Sequence, residues 1–375
     1  MKLKSLALFA ALPMVALAAP AHAKPGDKIA NSFICVFDKT VSRGNAQAEA
    51  NRSVQATEAQ VTRVYSVALK GFAVNAAPQA VAAMQRNNPS IAYCEQDQEV
   101  SAIQTYGVGP SARGKPGGGG ATQPPQETPW GIARVNGGAS GSYKTAWVID
   151  TGIDFNHPDL NSDLARSRSF VRDSSPADGN GHGTHVAGTI AAIDNSIGVV
   201  GVAAGATVVA VRVLDNRGSG SNSGVIAGVD YVAQYGQAGD VANMSLGGGV
   251  SQALDDAVVN AAAGGVRFAL AAGNESDNAN NHSPARANGP NVFTISAFAI
   301  GDNFASFSNY GNPPVDFAEP GVSIKSTWLN GGYNTISGTS MATPHFAGLL
   351  LAGNIANGGT VKGDRDSTPD QIGVH

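Results

Sequence analysis

Thr145-Ala146-Trp147-Val148-Ile149-Asp150-Thr151-Gly152 is the stretch on which the fold turns. Its apolar run ends abruptly in a carboxylate, a threonine and a glycine, the pattern of a strand buried on both faces and closed by a turn. Val208-Val209-Ala210-Val211-Arg212-Val213 repeats it, as do residues 266–271 and 291–297. Helical patterns at 223–235 and 252–263 lie between these runs. Strand, glycine turn and helix in alternation imply an α/β body with a parallel sheet and helices on both faces. Ligands and reacting groups gather at the C-terminal edge of such a sheet. Asp150 stands on that edge.

Upstream, the reading changes. Ser32 to Phe37 is an apolar, β-branched and aromatic strand, and residues 42–60 are polar, Ala-rich and helical. Residues 61–68 and 69–74 read as paired strands, 80–86 as a helix after Pro78, and 91–100 as a last strand. This βαββαβ order predicts a small α+β, ferredoxin-like module over residues 24–103. Residues 104–125 then carry Gly114-Lys115-Pro116, four further glycines and Pro124-Pro125. They read as an exposed linker of the kind that proteases nick. The larger body follows at 126–375. No repeat of solenoid period is present.

At the N-terminus, Lys2 and Lys4 precede an apolar stretch from Leu6 to Ala19 and then Ala21-His22-Ala23. That is a secretory signal peptide over residues 1–23, with cleavage expected after Ala23 and a secreted product, extracellular or periplasmic. No later run approaches the roughly 20 apolar residues of a spanning helix, so no membrane partner is expected after cleavage. Formal net charge is −4 and no long run of Lys or Arg occurs, which argues against a nucleic-acid partner. Charged residues make up 14% and Gly 47 of the 375 residues, a composition suited to a folded body rich in tight turns. Cys35 and Cys94 are the two cysteines. A disulfide and two buried thiols fit equally. No Cys/His set has zinc spacing.

Three motifs in the larger body each offer one member of a nucleophilic set. Val148-Ile149-Asp150-Thr151-Gly152 offers a carboxylate, Gly181-His182-Gly183-Thr184-His185 a glycine-flanked histidine opening a helix, and Gly338-Thr339-Ser340-Met341-Ala342 a serine at another helix mouth. A serine hydroxyl is a weak nucleophile and needs a base, which a neutral imidazole supplies. A buried carboxylate holds that imidazole in the right tautomer. Taken singly, the Asp is a turn former, the His a packed group and the Ser a helix cap. Their joint occurrence carries the reading. An α/β-hydrolase requires the order Ser, acid, His and a G-x-S-x-G elbow. Gly338 to Ala342 lacks the closing glycine, and only His375 lies far downstream.

With these motifs in the order Asp, His, Ser, residues 126–355 resemble the subtilase family. Ser306-Phe307-Ser308-Asn309-Tyr310-Gly311 and Gly338 to His345 resemble its proteinase K branch. The resemblance implies a subtilisin-like serine endopeptidase acting through Asp150, His182 and Ser340, with Asn274 of Ala271-Ala272-Gly273-Asn274 as oxyanion donor. It also implies substrate-binding walls at Ser219, Gly220, Ser245, Leu246 and Gly247, with Ala272 and Gly273 beside the first specificity pocket. The region of His282-Ser283-Pro284 would form the base of that pocket, and Ser283-Pro284 would be cis.

The same resemblance implies a structural calcium held by Gln126, Asp159, Ile193, Asn195, Ile197 and Val199. It makes the upstream module, with Gly71-Phe72-Ala73 and Glu95-Gln96-Asp97, an inhibitor-like prodomain of an autoprocessed precursor. Protein substrates and that prodomain are the expected partners, and the mature form is expected to be a monomer. Two features depart from the family pattern: the Gly-rich insertion after Ala102 and the C-terminus. There the closing helix looks replaced, and residues 363–370 read as a solvated polar tail.

Overall fold

The computed structural model describes residues 24–55, 57–103, 123–172 and 174–375. The expected signal peptide and most of the expected linker lie outside the described residues. The N-terminal module runs β1 (Lys28–Phe37), α1 (Ala46–Val54), β2 (Gln60–Tyr65), β3 (Gly71–Asn75), α2 (Pro78–Asn87) and β4 (Ile91–Ala102). Its strands pair antiparallel in the order β4-β1-β3-β2, as the βαββαβ reading requires. Pro78 opens α2, where a missing N–H costs nothing. Cys35 and Cys94 stand opposite each other on β1 and β4 and form a disulfide, which resolves the choice left open by the sequence.

In the larger body, β5 (Ala146–Asp150), β6 (Arg168–Ser169), α3 (His182–Ala191) and β7 (Val208–Arg212) are followed by β8 (Ser219–Ser221) and α4 (Asn222–Tyr235). Then come β9 (Val241–Met244), β10 (Leu246–Gly248), α5 (Gln252–Ala262), β11 (Arg267–Ala271), β12 (Val292–Ala299) and β13 (Val315–Pro320). A hairpin of β14 (Ile324–Trp328) and β15 (Gly332–Ile336) leads into α6 (Thr339–Ala352), β16 (Ala356–Thr360) and β17 (Gln371–Val374). The main sheet has the order β16-β17-β13-β12-β11-β9-β5-β7-β6. Along this path every pairing is parallel except β16 with β17.

Strand alternation explains the layering. Trp147 and Ile149 of β5 enter one core with α4 and α5, whereas Ala146 and Val148 enter the other with α3 and α6. Every residue of β5 is buried. The chain leaves β5 for β7 on one side and returns to β9 on the other, so the strand order reverses at β5. Asp150 therefore stands at the switch point of the sheet, where crossovers diverge and a cleft opens.

At the C-terminus the closing helix is replaced, as expected, and the reading of a solvated tail needs correction at Asp370. Residues after α6 form an edge of the sheet, with Ile372 of β17 paired to Ala318 of β13. Asp370 is buried, accepting from Asn312 Nδ2 at 2.9 Å and from Ser296 Oγ at 2.5 Å. Two strands thus replace the closing helix, and residues 363–370 form the turn between them. No described helix is long and apolar enough to cross a membrane.

Trp147 is fully buried and donates its indole N–H to Asp240 at 3.0 Å. Trp147→Ala is predicted to cost about 3–5 kcal/mol, from lost burial, a cavity and the lost hydrogen bond to Asp240, which keeps its bond from Gln237 N, read by urea unfolding of the full chain.

Candidate active site

Asp150 ends β5 and His182 begins α3. His182 Nδ1 lies 2.8 and 3.0 Å from the two Asp150 oxygens, and both side chains are buried. That contact assigns the Nδ1 proton toward the carboxylate, leaving Nε2 as the basic nitrogen. Glycines permit the approach: a Cβ on Gly183 would sit 3.2 Å from Asp150 Oδ1, and one on Gly181 would strike the Trp328 ring. Burial alone would lower the imidazole pKa. The charge and hydrogen bond of Asp150, with Asp178 behind, outweigh it and raise the pKa above its ordinary value. Nε2 is buried without a hydrogen-bond partner among the described residues. In this structure the Ser340 hydroxyl donates instead to the Ser245 carbonyl at 3.1 Å. A rotation about one side-chain bond separates that arrangement from other Ser340 rotamers.

Asn274 follows β11 and Ser340 sits in the first turn of α6. Asn274 Oδ1 accepts from the N–H and the hydroxyl of Thr339, both at 2.9 Å, which fixes the amide with Nδ2 on the other side. A Cβ on Gly338 would stand 3.0 Å from Asn274 Nδ2 and 3.7 Å from Ser340 N, so the two donors flank one small space that only glycine leaves open. Two N–H donors converging at a helix N-terminus can stabilise a developing oxyanion.

The groove residues assemble as flanking strands. β8 and β10 lie antiparallel on either side of β4, the last strand of the N-terminal module. Ser219, Gly220 and Ser221 face Ser101, Val100 and Glu99, while Leu246 and Gly247 face Ala102 and Ser101. Ile103 continues past the pairing, its side chain 3.8 Å from where a Gly247 Cβ would stand. It lines one cavity with His182 and another with Asn274 and His282. Ser283-Pro284 is cis, and Ala272 and Gly273 stand beside Asn274.

Asp230 and Asp178 escaped the sequence reading, as did the partners of Glu95 and Asp97, which entered it only as part of a module motif. Asp230 gives one carboxylate to the N–H groups of Ser66, Val67 and Ala68, at 2.8–3.3 Å, anchoring the module through its β2–β3 turn. A lone acid within the otherwise apolar segment 225–232 was the available signal. Glu95 accepts from Ser251 Oγ at 2.5 Å and from the N–H groups of Gln252 and Ala253, at the start of α5. Asp97 accepts from Ser223 N at 3.0 Å at the start of α4. Both helix N-termini thus meet an anion from the module. Asp178 holds Thr184 and the turn before His182, with no motif to announce it.

A buried Asp–His contact, a serine at a helix mouth, a paired-donor space and a strand-lined groove define a serine hydrolase built for extended peptides. The family model described as the subtilase family, peptidase S8, matches residues 147–354. An extracellular serine proteinase of Thermus sp. (strain Rt41A) is 44% identical over 80% of this chain and 70% of its own length. A cuticle-degrading protease of Metarhizium anisopliae is 37% identical over 92% of this chain and 87% of its own. The alkaline serine exoprotease A of Vibrio alginolyticus is 38% identical over 86% of this chain, which spans only 60% of that protein. Among solved structures, a cold adapted subtilisin-like serine proteinase superposes with a TM-score of 0.55 at 41% identity, over 65% of this chain and 96% of that one. The chain belongs to the subtilase family of serine proteases.

Subtilases commonly bind structural calcium, and the residues expected to hold it do gather here. Their side chains hydrogen-bond to one another. Asp159 is buried and accepts from Asn195 Nδ2 at 2.8 Å, Val199 N at 3.1 Å and Tyr333 O–H at 3.2 Å. Asn195 Oδ1 is used by Ile197 N, and Gln126 Oε1 by Asn195 N. Ile193 N–H donates to the Asp159 carbonyl. Among the described residues no group of three acidic, His or Cys side chains is placed for a metal. Family membership supports a structural calcium, and the carbonyls of Ile193, Ile197 and Val199 are the hard oxygens of this loop. Asn195→Ala is predicted to lower the melting temperature, measured calorimetrically, because it removes the side-chain amide's bonds to Asp159 and Ile197.

Proposed function

We propose that this chain is a secreted serine endopeptidase made as an autoprocessed precursor, with Asp150, His182 and Ser340 as its triad and Asn274 as oxyanion donor. The observation that carries the reading is the paired strand: the module's own tail lies between β8 and β10, with Ile103 beside His182 and Asn274. A peptide in that position presents the carbonyl of the residue just past the pairing, here Ile103, to the serine. The Ser340 hydroxyl turns from the Ser245 carbonyl, attacks that carbon and passes its proton to His182 Nε2. Asp150 stabilises the imidazolium through Nδ1–H, and Asn274 Nδ2 with Ser340 N–H receives the oxyanion. Collapse expels the amine, which takes the proton from His182 and leaves an acyl-enzyme. Water repeats the sequence and releases the acid.

In this reading residues 24–103 are an intramolecular inhibitor, and the bond after Ile103 is the first one cut. Signal cleavage after Ala23 supplies secretion. The substrates are proteins and peptides held by backbone pairing, which tolerates many sequences.

Purified precursor incubated with casein tests the reading directly. Wild type is expected to process itself, releasing a module whose mass ends at Ile103, and to degrade casein. Ser340→Ala is expected to remain full length and inactive, and a folded wild type that does neither sinks the proposal. Asn274→Ala should lower turnover about 10²–10³-fold, the magnitude measured in subtilisin.

The kcat/KM profile should lose activity as pH falls through a pKa above the roughly 6.5 of an ordinary imidazole, because Asp150 favours the protonated form of His182. Asp150→Asn should move that acid limb downward and reduce turnover by about 10⁴.

A further inference from the structure

We infer that Asn309 positions the oxyanion donor Asn274, because its buried side-chain amide clamps the turn that carries that donor on both sides. The inference rests on the reading of Asn274 as oxyanion donor and names the residue that places it. Ser306-Phe307-Ser308-Asn309-Tyr310-Gly311 entered the sequence reading only as a family resemblance, with no task attached. In the structure this segment runs along residues 273–279. Asn309 N donates to the Gly273 carbonyl at 2.9 Å and Ser276 N to the Phe307 carbonyl at 2.9 Å. Tyr310 N donates to the Asp277 carbonyl at 3.1 Å, and Ala279 N to the Tyr310 carbonyl at 2.9 Å.

One fully buried amide stands at the centre of that contact. Asn309 Nδ2 donates to the Ala272 carbonyl at 3.0 Å and to Glu275 Oε2 at 2.7 Å. Its Oδ1 accepts from Glu275 N at 3.0 Å and from Asp277 N at 2.9 Å. The partners at 272 and 273 precede Asn274, and those at 275 and 277 follow it. A clamp is needed here because β11 ends at Ala271 and the chain then turns through positive φ at Gly273 and Ser276, 110° and 57°. No regular ladder satisfies the N–H groups of such a turn. A primary amide supplies two donors and an acceptor with two lone pairs on one planar group, which serves four partners at once. A Cβ on Gly273 would collide with Asn309 Nδ2, so the amide lies directly against the backbone that leads into Asn274.

Two residues therefore divide the work. Thr339, from the helix of Ser340, fixes the direction of the Asn274 amide through Oδ1. Asn309 fixes the backbone from which that amide extends. A displaced donor costs turnover rather than binding, because the negative oxygen it serves exists only after attack.

The test uses enzyme matured from the full precursor in four forms: wild type, Asn309→Ala, Asn274→Ala and the double variant. Measured for each are kcat and KM on one peptide amide, and the melting temperature. Asn309→Ala is expected to lower kcat about 10-fold with KM changed less than about 2-fold. Made on top of Asn274→Ala, the same substitution is expected to lower kcat no further, since the donor it places is gone. Asn309→Asp keeps the acceptor for Glu275 N and Asp277 N but sets an oxygen against the Ala272 carbonyl. It is expected to give the same pattern and serves where Asn309→Ala does not fold. Unchanged kcat in a folded Asn309 variant, a loss confined to KM, losses that multiply in the double variant, or failure of both substitutions to fold overturns the inference alone. Wild-type kcat in Asn274→Ala removes the oxyanion reading and the inference with it. A folded, matured wild type that turns over no peptide removes the endopeptidase reading as well.

Discussion

Burial of β5 on both faces is the constraint from which the rest of the molecule follows. A strand with Trp147 and Ile149 on one side and Ala146 and Val148 on the other needs a helical layer against each face. Parallel neighbours with crossover helices meet that need, and the reversal of strand order at β5 opens the cleft at its C-terminal end. Asp150 enters that cleft as part of the strand itself, so its position is as rigid as the sheet. His182 and Ser340 arrive on helices that pack against the same face, α3 and α6. The geometry of the chemistry is thus inherited from core packing, with glycines at 181, 183 and 338 clearing the last few ångströms.

Electrostatics add a second layer of order. The buried Asp150 carboxylate accepts from His182 Nδ1 and from Thr151 N at 2.7 Å, which compensates part of its lost hydration. Asp178 binds the turn that begins α3 and adds to the field that favours a charged imidazole. Elsewhere the same physics works in reverse. His185 and His345 are fully buried without a carboxylate partner, and desolvation pushes them down to about 3 and about 4. Three histidines near one another therefore differ in charge behaviour because only one faces an anion.

The parallel strands and the helices of the larger body were legible in the sequence because both-face burial leaves unbroken apolar runs that need no partner to be recognised. Val208–Arg212 and Asn222–Tyr235 fall within a residue of the expected bounds. The candidate site residues stood out for a different reason: Asp150, His182, Ser340 and Asn274 each sit in a short glycine-containing motif whose shape is local. What escaped is set by distant contacts. β8 and β10 are short, half-polar segments that become strands only by pairing with β4. β17 needs β13, and the acids at 364, 366 and 370 looked solvated because nothing nearby in sequence shows that Asp370 is buried. The loop around Asn195 shows both cases: its bond from Ile197 N is local, whereas the Tyr333 hydroxyl that reaches Asp159 comes from far along the chain.

The N-terminal module closes the physical account, since it supplies what the larger body lacks when alone. Helices α4 and α5 begin at Ser221 and Ser251, whose side chains cap Gly224 N and Leu254 N, yet further N–H groups there face the module. Asp97 and Glu95 satisfy them, Asp230 answers with three N–H groups of the module, and β4 supplies the missing partner for two otherwise unpaired edges. Tyr65, Leu69 and Val100 continue one hydrophobic core across the boundary. The disulfide between β1 and β4 ties the strand that enters the groove to the strand beside it, so the tail is presented by a braced sheet. Cutting after Ile103 would remove none of these contacts. Release of the groove must then come from unfolding or digestion of the module, and its rate depends on the module's own stability as well as on the chemistry at Ser340.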